Sequence, residues 1–238
     1  MYGGVRLIQE INEVRSFLNQ ICELVDSNML KINEMRYQIF IKEDQTPVTK
    51  SDLFVEKLIF DFVKERLPGA TFVGEESFDS SVIDSSGYLV ILDPIDGTEN
   101  FCSGLKEWGV SFSLWQGSIH LGSFLYMPEL HLKLMTGDSI ECIHSRITGI
   151  SSSMDESLID ILRGGEEYRI MGCAVYNIYN VIRGSYKRFV NPKGAYIWDV
   201  LPGIMLALEH GCSVTMNGEA YHGHSIDPTI KYCIDIRR

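Results

Sequence analysis

The chain has 238 residues, 45% of them hydrophobic, and a formal net charge of −11. That composition supports a substantial core, as one domain or two tightly joined halves, and the acidic balance without a basic run argues against nucleic acid or anionic membrane as the main partner. No apolar run approaches the ~20 residues of a membrane span and the N-terminus lacks a signal peptide's regions, so a cytoplasmic location is expected. In chain order, Ile8, Ile11, Val14, Leu18, Ile21 and Val25 recur at helical spacing and predict a helix from Val5 to about Val25. A second helical stretch covers about Met29 to Ile39. Thr49 or Ser51 would cap a third, carrying Leu58, Ile59, Phe62 and Val63 and stopped by Leu67-Pro68-Gly69.

Strand-like runs follow at Thr71–Val73, Tyr88–Leu92, Val110–Trp115, Ile119–Met127 and Leu130–Met135, with Gln116-Gly117-Ser118 as a hairpin turn. This half, about 1–150, reads as helices with a mixed sheet. From 151 to 238 the pattern alternates: a helix near Met154–Leu162, a strand at Tyr168–Met171, a helix through Ala174–Ile182, a strand at Tyr186–Val190 and a final helix opened by Ile197-Trp198-Asp199. Such alternation implies layered α/β packing. Only Ile150 to Ser153 reads as a flexible join. The six cysteines form no C-x-x-C pair and fall mostly in apolar stretches, so buried free thiols are expected.

Chemistry concentrates at Leu92-Asp93-Pro94-Ile95-Asp96-Gly97-Thr98-Glu99-Asn100-Phe101. Pro94 removes a backbone donor, so ladder pairing should stop there and leave Asp93 and Asp96 at a strand's carboxyl end. Mg²⁺ takes oxygen ligands and shares one or two carboxylates with a substrate phosphate. Gly97 lets backbone approach an anion, and Thr98 adds a hydroxyl. Val73-Gly74-Glu75-Glu76-Ser77 and Ile197-Trp198-Asp199 put further carboxylates at element ends, and Lys42 to Asp52 forms a fourth polar segment upstream.

These four segments, in this order, resemble the inositol monophosphatase family. That family belongs to the lithium-sensitive, Mg²⁺-dependent phosphatases, with fructose-1,6-bisphosphatase and the phosphoadenosine phosphate phosphatases. The matches are Thr-Pro-Val-Thr-x-Ser-Asp at 46–52, Gly-Glu-Glu at 74–76, Asp-Pro-Ile-Asp-Gly-Thr-x-Asn-Phe at 93–101 and Trp-Asp at 198–199. The resemblance covers nearly the whole chain. It implies one domain with a layered αβαβα sandwich, a homodimer, and a Mg²⁺-dependent phosphoric monoester hydrolase with two or three ions per site.

By the same resemblance, Glu75, Asp93, Asp96, Asp199 and the Ile95 carbonyl are metal ligands. Convergent anions would repel strongly without cations among them. Glu75 also belongs to the catalytic set, with Thr98 and Asp52 helping to activate the attacking water. For Asp52 alone, a helix first-turn acid is the other reading. The backbone N–H groups of Gly97 and Thr98 would hold phosphate oxygens, Lys42 would lie near the outer metal and phosphate, and Glu76 would support the metal ligands from behind. Asp199 and the Arg169–Ala174 stretch, through Gly172, Cys173 and Ala174, would line the polyol side.

Two departures bear on substrate. Inositol-specific relatives carry a glutamate where this chain has Pro192, and a shorter Thr136–Cys142 segment replaces the usual Gly-x-Gly-Ala-x-x-Asn-Gly. The expected substrate is a small phosphorylated metabolite, a polyol or sugar monoester hydrolysed by metal-activated water. The alternatives are a 3′-phosphoadenosine 5′-phosphate-type nucleotide phosphatase and a non-catalytic regulator that keeps the fold.

Overall fold

The computed structural model describes residues 2–79, 87–153, 156, 158–163, 167–224 and 226–238. Helix α1 (Tyr2–Ser27) buries Leu18, Ile21, Cys22 and Val25, which share one face at helical spacing. The second helix, α2 (Met29–Met35), ends four residues sooner than its apolar pattern suggests. Ile39, Phe40 and Ile41 instead form β1 (Ile39–Ile41), paired antiparallel with β2 (Pro47–Thr49). The β-branched run prefers extended backbone, and Gln45, at φ 68°, turns the chain between the strands. Helix α3 (Lys50–Arg66) opens on a capping box: Thr49 accepts from the Ser51 and Asp52 N–H groups, and the Asp52 carboxylate accepts from the Thr49 N–H.

A five-stranded sheet runs in the order β3 (Thr71–Gly74), β4 (Tyr88–Asp96), β5 (Gly109–Gln116), β6 (Ile119–Met127), β7 (Leu132–Met135). Only the β3–β4 pair is parallel. The expected start of the last strand at Leu130 is displaced by a 3-10 turn, Pro128–Leu130, and by His131 at φ 53°. Contrary to expectation, pairing does not end at Pro94. Asp93 pairs with Ser111 and Asp96 with Gly109, so Pro94 and Ile95 form a bulge where the missing N–H is not needed. A Cβ at Gly109 would lie 2.6 Å from Val175 Cγ1 and 2.8 Å from the Tyr126 carbonyl oxygen, so only glycine fits beside the bulge. Gly109→Ala should therefore cost roughly 1–3 kcal/mol in urea denaturation. An unchanged midpoint would mean that the bulge has slack.

The second sheet has six strands: β12 (Glu219–Ala220), β11 (Ser213–Met216), β13 (Tyr232–Arg237), β10 (Arg188–Ala195), β8 (Ile147–Ile150) and β9 (Glu167–Ile170). Ile150, expected in a flexible join, is the buried end of β8. Of the helix expected near Met154–Leu162, residues 154, 155 and 157 lie outside the described residues, and α5 spans Leu158–Leu162. Strand β10 starts two residues later than predicted and runs on through Pro192, with an irregular register between Asn191 and Ala195. The short strands β11, β12 and β13 had no counterpart in the predicted elements.

Helices α1 and α3 pack on one face of the five-stranded sheet, while α6 (Ala174–Arg183) and α7 (Ile197–Glu209) lie between the two sheets and touch both. The architecture is the layered αβαβα sandwich. Val200, Leu201, Ile204, Leu206 and Ala207 make α7 buried almost all round, as a helix between two sheets must be. Pro202 lies in the second turn of α7. Its missing N–H frees the Trp198 carbonyl, and Ser111 Oγ donates to that oxygen at 2.7 Å. All six cysteines are free; Cys22, Cys173 and Cys212 are buried, Cys102 and Cys142 half-buried, and Cys233 exposed.

Candidate active site

Three element ends meet at the site. Glu75 follows β3, its N–H donating to the Leu92 carbonyl at 3.1 Å, Asp93 ends the regular part of β4, and Asp199 stands in the first turn of α7. Each offers a carboxylate oxygen, and the three oxygens lie within 4.8 Å of one another. Asp93 Oδ1 accepts the Ile95 N–H at 3.0 Å, and Asp199 Oδ2 accepts the Tyr196 N–H at 2.9 Å, so both carboxylates are oriented by backbone. Burial, then the charges of Glu75, Asp96 and Asp199, pushes the Asp93 carboxyl well above its ordinary range. Burial, followed by Glu75 and Asp96, does the same to Asp199.

Asp96 stands beside this trio rather than in it. Its Oδ2 accepts from the Val175 N–H at the start of α6 and from Cys173 Sγ at 2.9 Å. Burial still raises its pKa to about 6, against the effect of those donors. Ile95 turns its carbonyl to Thr98 Oγ1 at 3.0 Å. The same hydroxyl lies 3.0 Å from Asp52 Oδ1, and its single proton serves one acceptor at a time. Asp52 is thus both the capping-box acid, through Oδ2, and the partner of Thr98, through Oδ1. Burial raises it to about 6.

Among the described residues, the cation in ion-pair contact with these carboxylates is Lys42, whose Nζ is 2.9 Å from Glu75 Oε1 and 2.8 Å from Glu76 Oε1. Burial opposes its charge, but the two glutamates outweigh burial and hold it above the usual lysine value. Burial, then Glu75, raises Glu76 to about 7. One residue escaped the sequence reading: Glu56, buried, accepts the Glu76 N–H at 2.8 Å and thereby fixes the Gly74–Glu76 turn. A Cβ at Gly74 would collide with it at 2.5 Å. Its signal was available, since Glu56 lies one helical turn beyond Asp52 on the same face of α3. The Cys173 thiol and Ser111 hydroxyl were missed as partners because nothing local marks them.

Gly97, at φ 85°, starts the short helix α4 (Thr98–Cys102), and a Cβ there would meet Cys173 Cβ at 3.0 Å. A cavity of about 270 Å³ opens at this junction, lined by Gly97, Thr98, Gly172, Cys173, Ala174 and Asp199. Gly172, Cys173 and Ala174 of the Arg169–Ala174 stretch are thus part of a cavity wall. A neighbouring cavity of about 430 Å³ holds Lys42, Glu75, Tyr196 and Trp198.

A sequence model of the inositol monophosphatase family matches residues 10–143, more than half of the chain. This protein belongs to the inositol monophosphatase family. It is accordingly a phosphatase, a hydrolase of phosphate monoesters. An inositol-1-monophosphatase of Bacillus subtilis is 27% identical over 208 residues, covering 75% of this chain and 77% of that relative. A histidinol-phosphatase of Chlorobaculum parvum is 40% identical over 97 residues, covering 40% of this chain and 37% of that enzyme. Among solved structures, a staphylococcal inositol monophosphatase-1 superposes with a TM-score of 0.80 at 18% identity, over 95% of this chain and 90% of its own. An IMPase/NADP phosphatase solved with NADP and Ca²⁺ gives 0.81 at 17% identity, over 95% and 91%. Among the described residues no helix is long and apolar enough to cross a membrane.

Proposed function

We propose that the chain hydrolyses the phosphate monoester of a small polyol or sugar with Mg²⁺. The observation that carries this reading is the convergence of Glu75, Asp93 and Asp199. An all-oxygen donor set, two members of which have carboxyls pushed well up despite a lysine in contact with the third, suits a hard divalent cation. Glu75, Asp93, Asp199, Asp96 and the Ile95 carbonyl would hold two or three ions. Bound there, Mg²⁺ would supply charge to polarise the phosphoryl oxygens and to lower the pKa of water.

The chain's own groups then have defined work. The Thr98 hydroxyl donates to Asp52 Oδ1, and its lone pairs can accept a hydrogen bond from the attacking water, aiming it at phosphorus; as the water gives its proton to Thr98, the Thr98 proton passes to Asp52. Attack forms one P–O bond and breaks the ester P–O bond; the leaving alkoxide takes a proton from solvent. The Gly97 and Thr98 N–H groups hold phosphate oxygens, and Lys42 adds charge beside Glu75. Gly172, Cys173 and Ala174 border the alcohol portion. On this reading the chain works as one cytoplasmic domain, 1–238, in a homodimer.

Phosphate release should be measured with Mg²⁺ and with chelator on inositol 1-phosphate, sugar phosphates, fructose 1,6-bisphosphate, histidinol phosphate, NADP and 3′-phosphoadenosine 5′-phosphate. Release that needs Mg²⁺ and favours a polyol or sugar ester is the expected result. Preference for the adenine-bearing esters would replace it with the nucleotide reading, and silence from folded protein would favour the non-catalytic regulator.

A further inference from the structure

Lys231 is the one lysine or arginine that lines both cavities of the site among the described residues. Unlike Lys42, it enters none of their ion pairs. Its position is nonetheless built. The next residue, Tyr232, pairs with Ala195 in the β10–β13 ladder, and a Cβ on Gly194 would come within 3.2 Å of Lys231 Cβ, so the lysine stem lies against a glycine. Its Nζ stands 4.7 Å from the centroid of the Tyr196 ring, which stacks on Trp198 at 4.6 Å. The Tyr196 N–H in turn orients Asp199. The ammonium is thereby tied, through the first turn of α7, to one of the three convergent carboxylates.

With the scissile phosphate at those carboxylates, the rest of the ester occupies the smaller cavity. Its wall on the β10 side is uncharged, formed by Phe189, Asn191, Gly194 and Ala195, and Lys231 stands at its rim. No carboxylate of the described residues makes an ion-pair contact with this ammonium, although Asp199 and Asp44 feel its charge and Glu99 lines the same two cavities. A second anion can therefore complete a contact pair that a neutral polyol cannot. We propose that Lys231 is a specificity-determining residue that binds a second anionic group, carboxylate or phosphate, on the alcohol portion of the substrate. This rests on the phosphomonoesterase reading and narrows its substrate class to esters with two separated negative groups.

The test compares glucose 1-phosphate with glucuronic acid 1-phosphate, which differ only by a carboxylate, in wild type, Lys231→Met and Lys231→Arg. Wild type should favour the uronate by roughly tenfold in kcat/KM, the scale of one charge-assisted contact. Methionine keeps the stem over Tyr196 and should bring the ratio near one; arginine should largely restore the preference. Calorimetric titration of both esters with Ca²⁺ present reads the same ratio as affinity, whether or not turnover occurs. A ratio unchanged in Lys231→Met, or a wild-type preference for the neutral ester, overturns the assignment while leaving the phosphatase reading intact. Binding without release from either ester would count against the reaction, with the affinity ratio still deciding Lys231. Absence of binding by both esters would remove both.

Discussion

Asp93→Asn should leave a folded protein whose Mg²⁺-dependent phosphate release is lower by roughly 10³-fold or more, the scale of losing a group that organises charge in a transition state. The substitution is nearly isosteric. The asparagine oxygen can still accept the Ile95 N–H, so the bulge that carries Ile95 and Asp96 keeps its hydrogen bond. What disappears is the negative charge of the fully buried member of the trio, which sits among the charges of Glu75, Asp96 and Asp199. Without metal that charge is a liability, so the variant should resist urea at least as well as wild type while losing its response to Mg²⁺. Initial rates across a Mg²⁺ titration, paired with urea curves, separate the two effects. Turnover at the wild-type level would sink the metal role of Asp93. A variant that is merely unfolded would show it in the urea curve.

Much of this site was legible because its carboxylates end apolar runs. Glu75, Asp93 and Asp199 each follow or open an element whose hydrophobic pattern is plain in the sequence, and the ordered resemblance to the family is what grouped them, since burial alone does not say which element ends meet. Pro94 was read less well. It looks like a terminator, yet it sits in a β-bulge where its missing N–H costs little, while Pro202, inside α7, leaves a carbonyl that is served by Ser111. That compensation comes from a strand 87 residues away in sequence and has no local signature. Asp52 shows a different limit. As a capping acid and as a partner for Thr98 it has two descriptions that compete on paper, but a carboxylate has two oxygens and the fold uses one for each. The second predicted helix is carried on to Ile39, and the strand Ile39–Ile41 is not anticipated, because the pattern at 29–35 continues without a strong breaker. The strands β11 and β12 are too short for alternation to show, and β13, though six residues long, pairs with β10, far from it in sequence.

Without divalent metal, stability should fall as pH rises from about 6.5 to about 8, and Mg²⁺ should raise the melting temperature most at the upper end. Burial holds Asp93 and Asp199 well above the ordinary carboxylate range and Glu76 at about 7. In this window the folded chain keeps protons on these groups that the unfolded chain has already released. Raising the pH strips them from the folded state, so the stability they allow is lost as pH climbs through the folded pKa values. Asp52 and Asp96, at about 6, contribute the same sign mostly at lower pH. His120 opposes the trend, because burial depresses it to about 4 and its contribution grows as pH rises toward 6.5. Starting at 6.5 leaves most of that imidazole's effect behind. Asp235 is lowered, its two arginine partners outweighing burial, and acts only near the acid end. A divalent cation binds the deprotonated native site and not the unfolded chain, which stabilises by about 2.7 kcal/mol at a hundred times its dissociation constant. Protons compete with it, so its benefit must increase with pH and flatten or reverse the metal-free slope. Thermal melts in chelator and in saturating Mg²⁺ across this range would show the two curves diverging. Parallel curves would mean that the buried carboxylates and the metal do not share one site.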